Sequence, residues 1–297
     1  MTLRVYAPAK VNLTLHVTGQ RDDGYHLLDS LVSFAQVSDH LQVSDADHLS
    51  LCVTGPEARG VPADDNNLVM KAARAIGQVY GIEPKLALQL HKNLPSASGI
   101  GGGSADAAAC VRAVLAHWDV PLDLADARLR DAVQGLGADV WMCLASVPCR
   151  VRGIGNTLSP VALPDVACLL VNPRVEVPTP PVFKALPTKT NAPMPQMLPE
   201  DPSLEAFIAF LAAQRNDLQS PAIALAPVIA SVVKTLQEVP GCQLARMSGS
   251  GATCFGLFPT IGMAHAAQAQ IAAQQTGWWC AAGLLGSQSG QGAPHRI

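Results

Sequence analysis

Charge and aromatic rings are scarce in this chain. Only 14% of its 297 residues are Asp, Glu, Lys or Arg, and 4% are Phe, Trp or Tyr. The net charge is −3 and the 20 Lys and Arg are scattered, so the chain lacks the electropositive field that nucleic acid requires. Long apolar runs are missing too. No stretch approaches the ~20 residues of a membrane span, and the opening Met-Thr-Leu-Arg-Val-Tyr has no apolar segment for export. None of the eight cysteines forms a C-x-x-C pair, and most sit in apolar runs. They read as buried, reduced thiols in a cytoplasmic protein, not as disulfides or a metal site. With 49% hydrophobic residues the chain is globular, long enough for one large or two ordinary domains.

Glycine, by contrast, is concentrated. Residues 95–109 read Pro-Ser-Ala-Ser-Gly-Ile-Gly-Gly-Gly-Ser-Ala-Asp-Ala-Ala-Ala, a glycine-dense loop running into an alanine-rich helix. Such a loop lets backbone N–H groups converge on an anion at a helix N-terminus, where the dipole is positive. It is not a Walker A loop, because no lysine follows Gly103. Nor is it a dinucleotide fingerprint, because the sixth position counted from Gly99 is Ser104. A flexible linker is the plain alternative, but linkers do not sit between a strand and a Ser-capped helix. Phosphate binding is the expectation.

Period-two alternation of Val11, Leu13, Leu15 and Val17 against Asn12, Thr14 and His16 predicts a half-buried strand. Leu86, Leu88 and Leu90 predict another, and Leu41/Val43 with Leu49/Leu51/Val53 predict two short strands paired around a polar turn. Asn66 or Asn67 caps a helix to about Tyr80, with Val69, Ala72, Ala73 and Ile76 on its apolar face. Ser104 opens the helix after the glycine loop, and a third helix runs from about Ala125 to Gln134. Prolines crowd residues 160–202, read as a connection and a long surface loop. Beyond it come a helix from Pro221 to Glu238, strands at Gln243–Met247 and Thr253–Phe258 around a second glycine turn, a helix over Ile261–Gln274 and a strand at Trp279–Leu284. That order makes an α+β chain. It divides into an N-terminal domain over 1–155, a C-terminal domain over 156–285 and a flexible polar tail over 286–297.

Taken singly, the polar candidates have plain explanations. Lys10 would be a solvated lysine, His26 a turn residue and Asp139 the cap of the next helix. The turn holding Gly249 and Gly251 would be an ordinary hairpin. In one order, however, the chain contains Pro8-Ala-Lys-Val-Asn-Leu, Asp23-Gly-Tyr-His26, Asn67-Leu68, Lys92 through Ala108, Gly137-Ala-Asp-Val and Ser248-Gly-Ser-Gly-Ala. This set resembles the GHMP small-molecule kinases over about residues 4–285. The Ala-Lys-x-Asn-Leu and Asp-Gly-Tyr-His pair is similar to the branch that phosphorylates a cytidine-bearing methylerythritol.

The resemblance implies a two-domain α+β fold, with an N-terminal domain like the second domain of ribosomal protein S5 and a ferredoxin-like C-terminal domain. It implies ATP-dependent phosphorylation of the substrate's 2-hydroxyl in the non-mevalonate route to isoprenoid precursors. Pro95, Ser96, Ala97, Ser98, Gly99, Ile100, Gly101, Gly102, Gly103 and Ser104 would wrap the ATP phosphates. Asn67, Leu68 and Lys92 would lie near the adenosine. Asp139 would accept the hydroxyl proton, while Lys10 would favour its carboxylate form and neutralise the transferring phosphoryl. Asn12 would position the substrate, and Tyr25, His26, Thr179, Pro180 and Phe183 would hold the cytidine. Gly249 and Gly251 would close the site from the second domain. Mg²⁺ would ride mainly on the phosphates, since only Ser104 is at hand and no second carboxylate is evident. These roles suit phosphoryl transfer, which asks for positioning and charge stabilisation. Val32 departs from the family by standing where a relative has an aromatic wall for the cytosine. Trp141, Ser96 and Ser98 are departures too. A homoserine or mevalonate kinase, and a nucleotide-binding regulator without catalysis, are the alternatives.

Overall fold

A computed structural model describes residues 1–199 and 203–297. The first half runs β1 (Leu3–Asn12), β2 (His16–Gln20), β3 (His26–Asp45), β4 (Ser50–Thr54), α1 (Leu68–Tyr80), β5 (Leu86–His91), α2 (Gly102–His117), α3 (Ala127–Leu136), α4 (Val140–Ala145), β6 (Cys149–Gly153) and β7 (Thr157–Pro160). The second half runs β8 (Val166–Asn172), α5 (Thr179–Lys184), α6 (Leu204–Ala212), α7 (Gln219–Leu225), α8 (Val228–Glu238), β9 (Leu244–Met247), β10 (Cys254–Phe258), α9 (Ile261–Gln274), β11 (Trp279–Gly286) and β12 (His295–Arg296). Among the described residues, no helix is long and apolar enough to cross a membrane.

The long strand β3 is the hub. It pairs antiparallel with β1, β2, β5, β6 and β11. Through β11, at Leu285 beside Ala35 and Gly286 beside Phe34, the N-terminal sheet continues into β8, β10 and β9. The expected hairpin between residues 41–43 and 49–53 does not form. β5 lies between them, antiparallel to β3 and parallel to β4.

Helix α1 follows its pattern. The Asn67 carboxamide oxygen accepts from Val69 N–H, and Gly81 ends the helix at φ +69°. Val69, Ala72, Ala73 and Ile76 are fully buried in the N-terminal core, where α1 packs on α2 and α3. α2 starts earlier than expected, at Gly102, so Ser104 lies inside its first turn and Gly101 is the cap. Its alanines let it pack closely on every side, with Ala105 and residues 107–111 buried.

Other departures trace to polar partners far away in sequence. The strand predicted over 11–17 breaks between Asn12 and His16. Its polar side is buried as well, with Thr14 at 0% and His16 at 1% exposure. Ala192, Met194 and Asp217 reach over it: His16 Nδ1 meets Ala192 O at 3.2 Å, Thr14 Oγ1 donates to Met194 Sδ at 2.9 Å and Val17 N–H donates to Asp217 Oδ2 at 2.7 Å. Within the proline-rich stretch, β8 is a wholly buried strand, and α5 starts where its prolines suit a helix N-terminus. Residues 194–196 of that stretch are pinned rather than loose. Arg150 grips Asp29 in a bidentate pair at 2.6–2.7 Å and donates to the carbonyls of Met194, Pro195 and Gln196. Residues 200–202 of that stretch lie outside the described residues. The helix expected over 221–238 is two helices, split at Ala226-Pro227. The tail expected to be flexible is hydrogen-bonded: Gln288 N–H donates to Ser146 O at 2.9 Å, and β12 pairs with β1.

Candidate active site

A cleft of about 1020 Å³ opens where the glycine loop, the end of β1, the segment before α4 and the Ser248–Gly251 turn converge. Its lining includes Lys10, Asn12, Tyr25, His26, Leu68, Ala97, Ser98 and Gly99. Gly101 to Ser104, Asp139, Thr179, Pro180, Phe183, Gly249 and Gly251 complete the expected set found there.

The loop between β5 and α2 is shaped by its own backbone. Gly99 and Gly101 sit at φ +78° and +66°, and Ser98 Oγ donates to Pro95 O at 2.6 Å. Gly101 caps α2 without any side-chain hydrogen bond, so no cap side chain claims the first-turn amides. These face the cleft with the positive end of the α2 dipole, an arrangement that holds anions.

The second glycine turn is more than a hairpin. A Cβ on Gly99 would stand 2.7 Å from the carbonyl oxygens of both Ser248 and Gly251, and one on Gly249 would stand 2.8 Å from Gly99 O. The two turns interdigitate at distances only glycine permits. Thr253 N–H donates to Ser98 O at 3.0 Å and Ser248 Oγ donates to Gly99 O at 3.1 Å, while accepting from Asn12 N–H. The C-terminal half thereby holds the loop's shape.

At the floor of the cleft, Lys10 Nζ lies 3.0 Å from Asp139 Oδ2 and donates to Asn12 Oδ1 at 2.7 Å. Asn12 Nδ2 donates in turn to Ser30 Oγ, which donates to Thr14 O. This chain fixes the Asn12 amide so that its oxygen faces the ammonium. Asp139 precedes α4 but makes no capping hydrogen bond, so the plain explanation for it fails. Its carboxylate is spent on Lys10 and the cleft. The Lys10 side chain is 10% exposed and that of Asp139 35%, a buried cation beside a carboxylate that substrate can reach.

At the far end, the His26 and Phe183 rings stack at 4.7 Å and 28°, while Tyr25 stands 61% exposed beside them. Burial, then the nearby Lys189 charge, hold the His26 imidazole below its ordinary pKa. Thr179 Oγ1 and Ser250 Oγ lie 2.8 Å apart, joining α5 to the second turn. Val32 is fully buried in the N-terminal core and does not line the cleft, so its departure removes no wall there.

Several expected residues are elsewhere. Lys92, expected near adenosine, is 3% exposed and locked between Asp39 and Asp106, with Asp106 Oδ2 at 2.6 Å. Burial opposes its charge, yet the Asp106 and Asp39 carboxylates outweigh that and raise its pKa. Burial pushes the Asp106 carboxyl up against the pull of Lys92. Asp39 Oδ1 also accepts from Asn93 and Leu94 N–H, so this cluster anchors the root of the loop from beneath. Asn67 spends its amide on Val69 N–H and Pro62 O as a helix cap. Pro95 and Ile100 are buried within the loop, contributing carbonyls to Ser98 and to Lys10 N–H, and Ser96 is exposed at its tip outside the lining. Sequence reasoning passed over Ser248, Ser250, Lys184 and Lys189. The two serines lie in the second glycine motif itself and were open to the same reasoning as its glycines. The two lysines carry no local signal.

Models of known families match the chain twice: GHMP kinases N terminal domain over residues 67–146 and GHMP kinases C terminal over 202–277. The chain is 55% identical over 278 residues to a 4-diphosphocytidyl-2-C-methyl-D-erythritol kinase of Cereibacter sphaeroides, covering 93% of this chain and 96% of the relative. A kinase of the same name from Ruegeria pomeroyi is 52% identical, with 96% of this chain and 100% of the relative covered. Among solved structures, a 4-(cytidine 5'-diphospho)-2C-methyl-D-erythritol kinase superposes with a TM-score of 0.79 at 32% identity, over 95% of this chain and 99% of the other. A homoserine kinase from Cytophaga hutchinsonii, at 18% identity and a TM-score of 0.71, covers 100% of this chain and 97% of its own, and shares the fold. The α+β architecture is therefore the GHMP kinase fold, and the chain belongs to the GHMP kinases, in the family of 4-diphosphocytidyl-2-C-methyl-D-erythritol kinases.

Proposed function

We propose that this chain transfers the γ-phosphoryl group of ATP to the 2-hydroxyl of 4-diphosphocytidyl-2-C-methyl-D-erythritol, releasing ADP, in the non-mevalonate route to isoprenoid precursors. The observation that carries the reading is the Lys10–Asp139 pair at 3.0 Å beside an uncapped, glycine-lined helix N-terminus, in a chain of this family. The loop amides and the α2 dipole hold the phosphates. Lys10 offsets charge on the transferring group, and Asp139 orients the hydroxyl and takes its proton as the new P–O bond forms. Asn12 holds Lys10 in place. His26, Phe183 and Tyr25 grip the base, supported by the buried, unpartnered Nε2 of His26, which can meet a nucleobase edge.

The donor set suits a metal carried by the nucleotide. Among the described residues no three His, Cys, Asp or Glu cluster as metal ligands, and the cleft offers the Ser104 hydroxyl and the Asp139 carboxylate. Mg²⁺ bound with ATP would neutralise phosphate charge there. The division near residue 155 separates a phosphate-binding half from one that closes the cleft. All eight cysteines are free thiols, which supports a reducing compartment, the cytoplasm.

The aromatic end of the cleft favours a cytidine substrate over homoserine or mevalonate. The Asp139 carboxylate, free of any capping role and within reach of substrate, favours catalysis over nucleotide sensing. A coupled assay of ADP release should respond to the cytidine-bearing alcohol and not to the other two. Preference for an alcohol without cytidine would overturn the substrate. ATP binding without turnover on any of the three would revive the regulator.

A further inference from the structure

Helix α2 carries a buried cation that the transfer reading leaves unused. Arg112 is 6% exposed, and among the described residues no carboxylate lies within 4.0 Å of it. Burial lowers its pKa to about 10. A guanidinium held in the interior without a counter-ion is costly unless its N–H groups are met. Here carbonyls meet the two terminal amino groups, while Nε is buried with no partner among the described residues. Nη1 donates to Cys143 O at 2.8 Å and to Leu144 O at 3.1 Å, and Nη2 donates to Tyr6 O at 3.0 Å.

The owners of those carbonyls matter. Cys143 and Leu144 form the last turn of α4, the short helix that Asp139 begins, and a cation suits that negative end of the dipole. Tyr6 lies on β1, the strand that bears Lys10. Arg112 itself stands on the helix whose first turn is the phosphate cradle. One side chain thus joins the three elements that must hold register for transfer.

The C-terminal tail closes over this joint. Gln288 N–H donates to the carbonyl of Ser146, the left-handed residue ending α4, whose own Oγ donates to Cys143 O at 2.7 Å. Gly292 N–H then bonds Gln288 O, and a Cβ on Gly292 would stand 3.3 Å from both Cζ and Nη2 of Arg112. The tail backbone therefore lies against the guanidinium.

We propose that Arg112 is a positioning residue for phosphoryl transfer, tying the helix begun by Asp139 to the strand that bears Lys10, with tail residues 288–292 sealing the tie from water. The proposal rests on Lys10 and Asp139 being the transfer pair. A structural cation would affect how many molecules fold, whereas a positioning residue sets the rate of each folded one. A small misplacement of reacting groups is enough: about 1 Å can cost on the order of 100-fold in rate.

The experiment measures kcat and both KM values for Arg112→Met, Arg112→Lys and a chain ending at Gly286, with rates normalised to the calorimetric stoichiometry of ATP binding. Arg112→Met is expected to lower kcat roughly 30-fold with the KM for ATP within about twofold, and Arg112→Lys to recover to within about fivefold. Loss of the tail should lower kcat roughly threefold or more. In an Asp139→Asn background, Arg112→Met should cost less than about twofold further, because a residue acting through Asp139 has nothing left to act on. Wild-type kcat per competent molecule in all three variants would overturn the proposal, as would an equal fold-loss in the Asp139→Asn background. If Arg112→Met does not fold, the lysine variant and the truncation decide it by the same criteria. Full turnover by Asp139→Asn alone would overturn the transfer-pair reading first, and this proposal with it.

Discussion

Gly101→Ala tests how tightly the glycine loop and Lys10, the proposed catalytic lysine, share space. Gly101 has φ +66°, and a Cβ there would stand 2.7 Å from Lys10 Cγ and 3.1 Å from Lys10 Cε. Carbon pairs rest at about 3.5–4.0 Å, so the contact must open by about 1 Å. The Lys10 stem cannot swing freely, because Asn12 and Asp139 hold its ammonium and Lys10 N–H is bonded to Ile100 O. The left-handed backbone adds about 1–2 kcal/mol for any residue with a Cβ. The expected outcome is a loss of about 1–2 kcal/mol in stability, read by urea unfolding, and a fall in kcat of roughly 30- to 100-fold from displaced charge at the transferring phosphoryl. Steady-state ADP release, with melting followed in parallel, measures both. A variant with kcat within threefold of wild type and an unchanged melting curve would refute the claimed contact.

Phe183→Ala should raise the KM for the cytidine substrate by roughly 5- to 150-fold, the range set by ~1–3 kcal/mol of stacking, and leave the KM for ATP unchanged. Equal effects on both substrates would remove Phe183 from the base pocket. Lys92→Met leaves Asp39 and Asp106 buried without their cation, and should cost about 3–5 kcal/mol in urea unfolding. A loss below about 1 kcal/mol would mean that the cluster is not an anchor. His16 is held below its ordinary pKa by burial and then by Arg215, and it bonds Ala192 O and Arg215 N–H through its two ring nitrogens. The unfolded chain therefore takes up a proton near pH 6.5 that the native imidazole resists. Stability should be fully present above that pH and fall as pH drops below it. Unfolding free energies at pH 7.5 and 5.5 should converge in His16→Asn relative to wild type, and an unchanged slope would contradict the assignment.

The glycine loop and the helix after it were legible because their signal is local: every residue from Gly99 to Ser104 is contiguous and its glycines announce backbone approach. The helix face of α1 was legible for the same reason, since Val69, Ala72, Ala73 and Ile76 state their period within one element. What escaped depends on partners distant in sequence. Lys92 reads as a lysine near the adenosine until Asp39 and Asp106 are folded around it. The strand β3 hides because Ser30, Ser33 and Asp39 interrupt its apolar pattern yet are buried, Ser30 by bonds to Asn12 and Thr14 and Asp39 by bonds to Lys92 and the Asn93 and Leu94 amides. The tail looks loose from its Gly and Ser content, whereas its order comes from Ser146 and β1. Asp139 lies between these cases. Its position before a helix favours a cap, and only the approach of Lys10 from β1 shows its carboxylate turned to the cleft.

The most direct test of the account is Asp139→Asn, which keeps the shape of the side chain and removes its capacity to take a proton. The account predicts a fall in kcat of about 100- to 10,000-fold for phosphorylation of the cytidine-bearing alcohol. Calorimetric ATP affinity should stay within about threefold of wild type, because the loop amides are untouched. Turnover within threefold of wild type would contradict the assignment of the proton acceptor, and with it the central claim about this cleft.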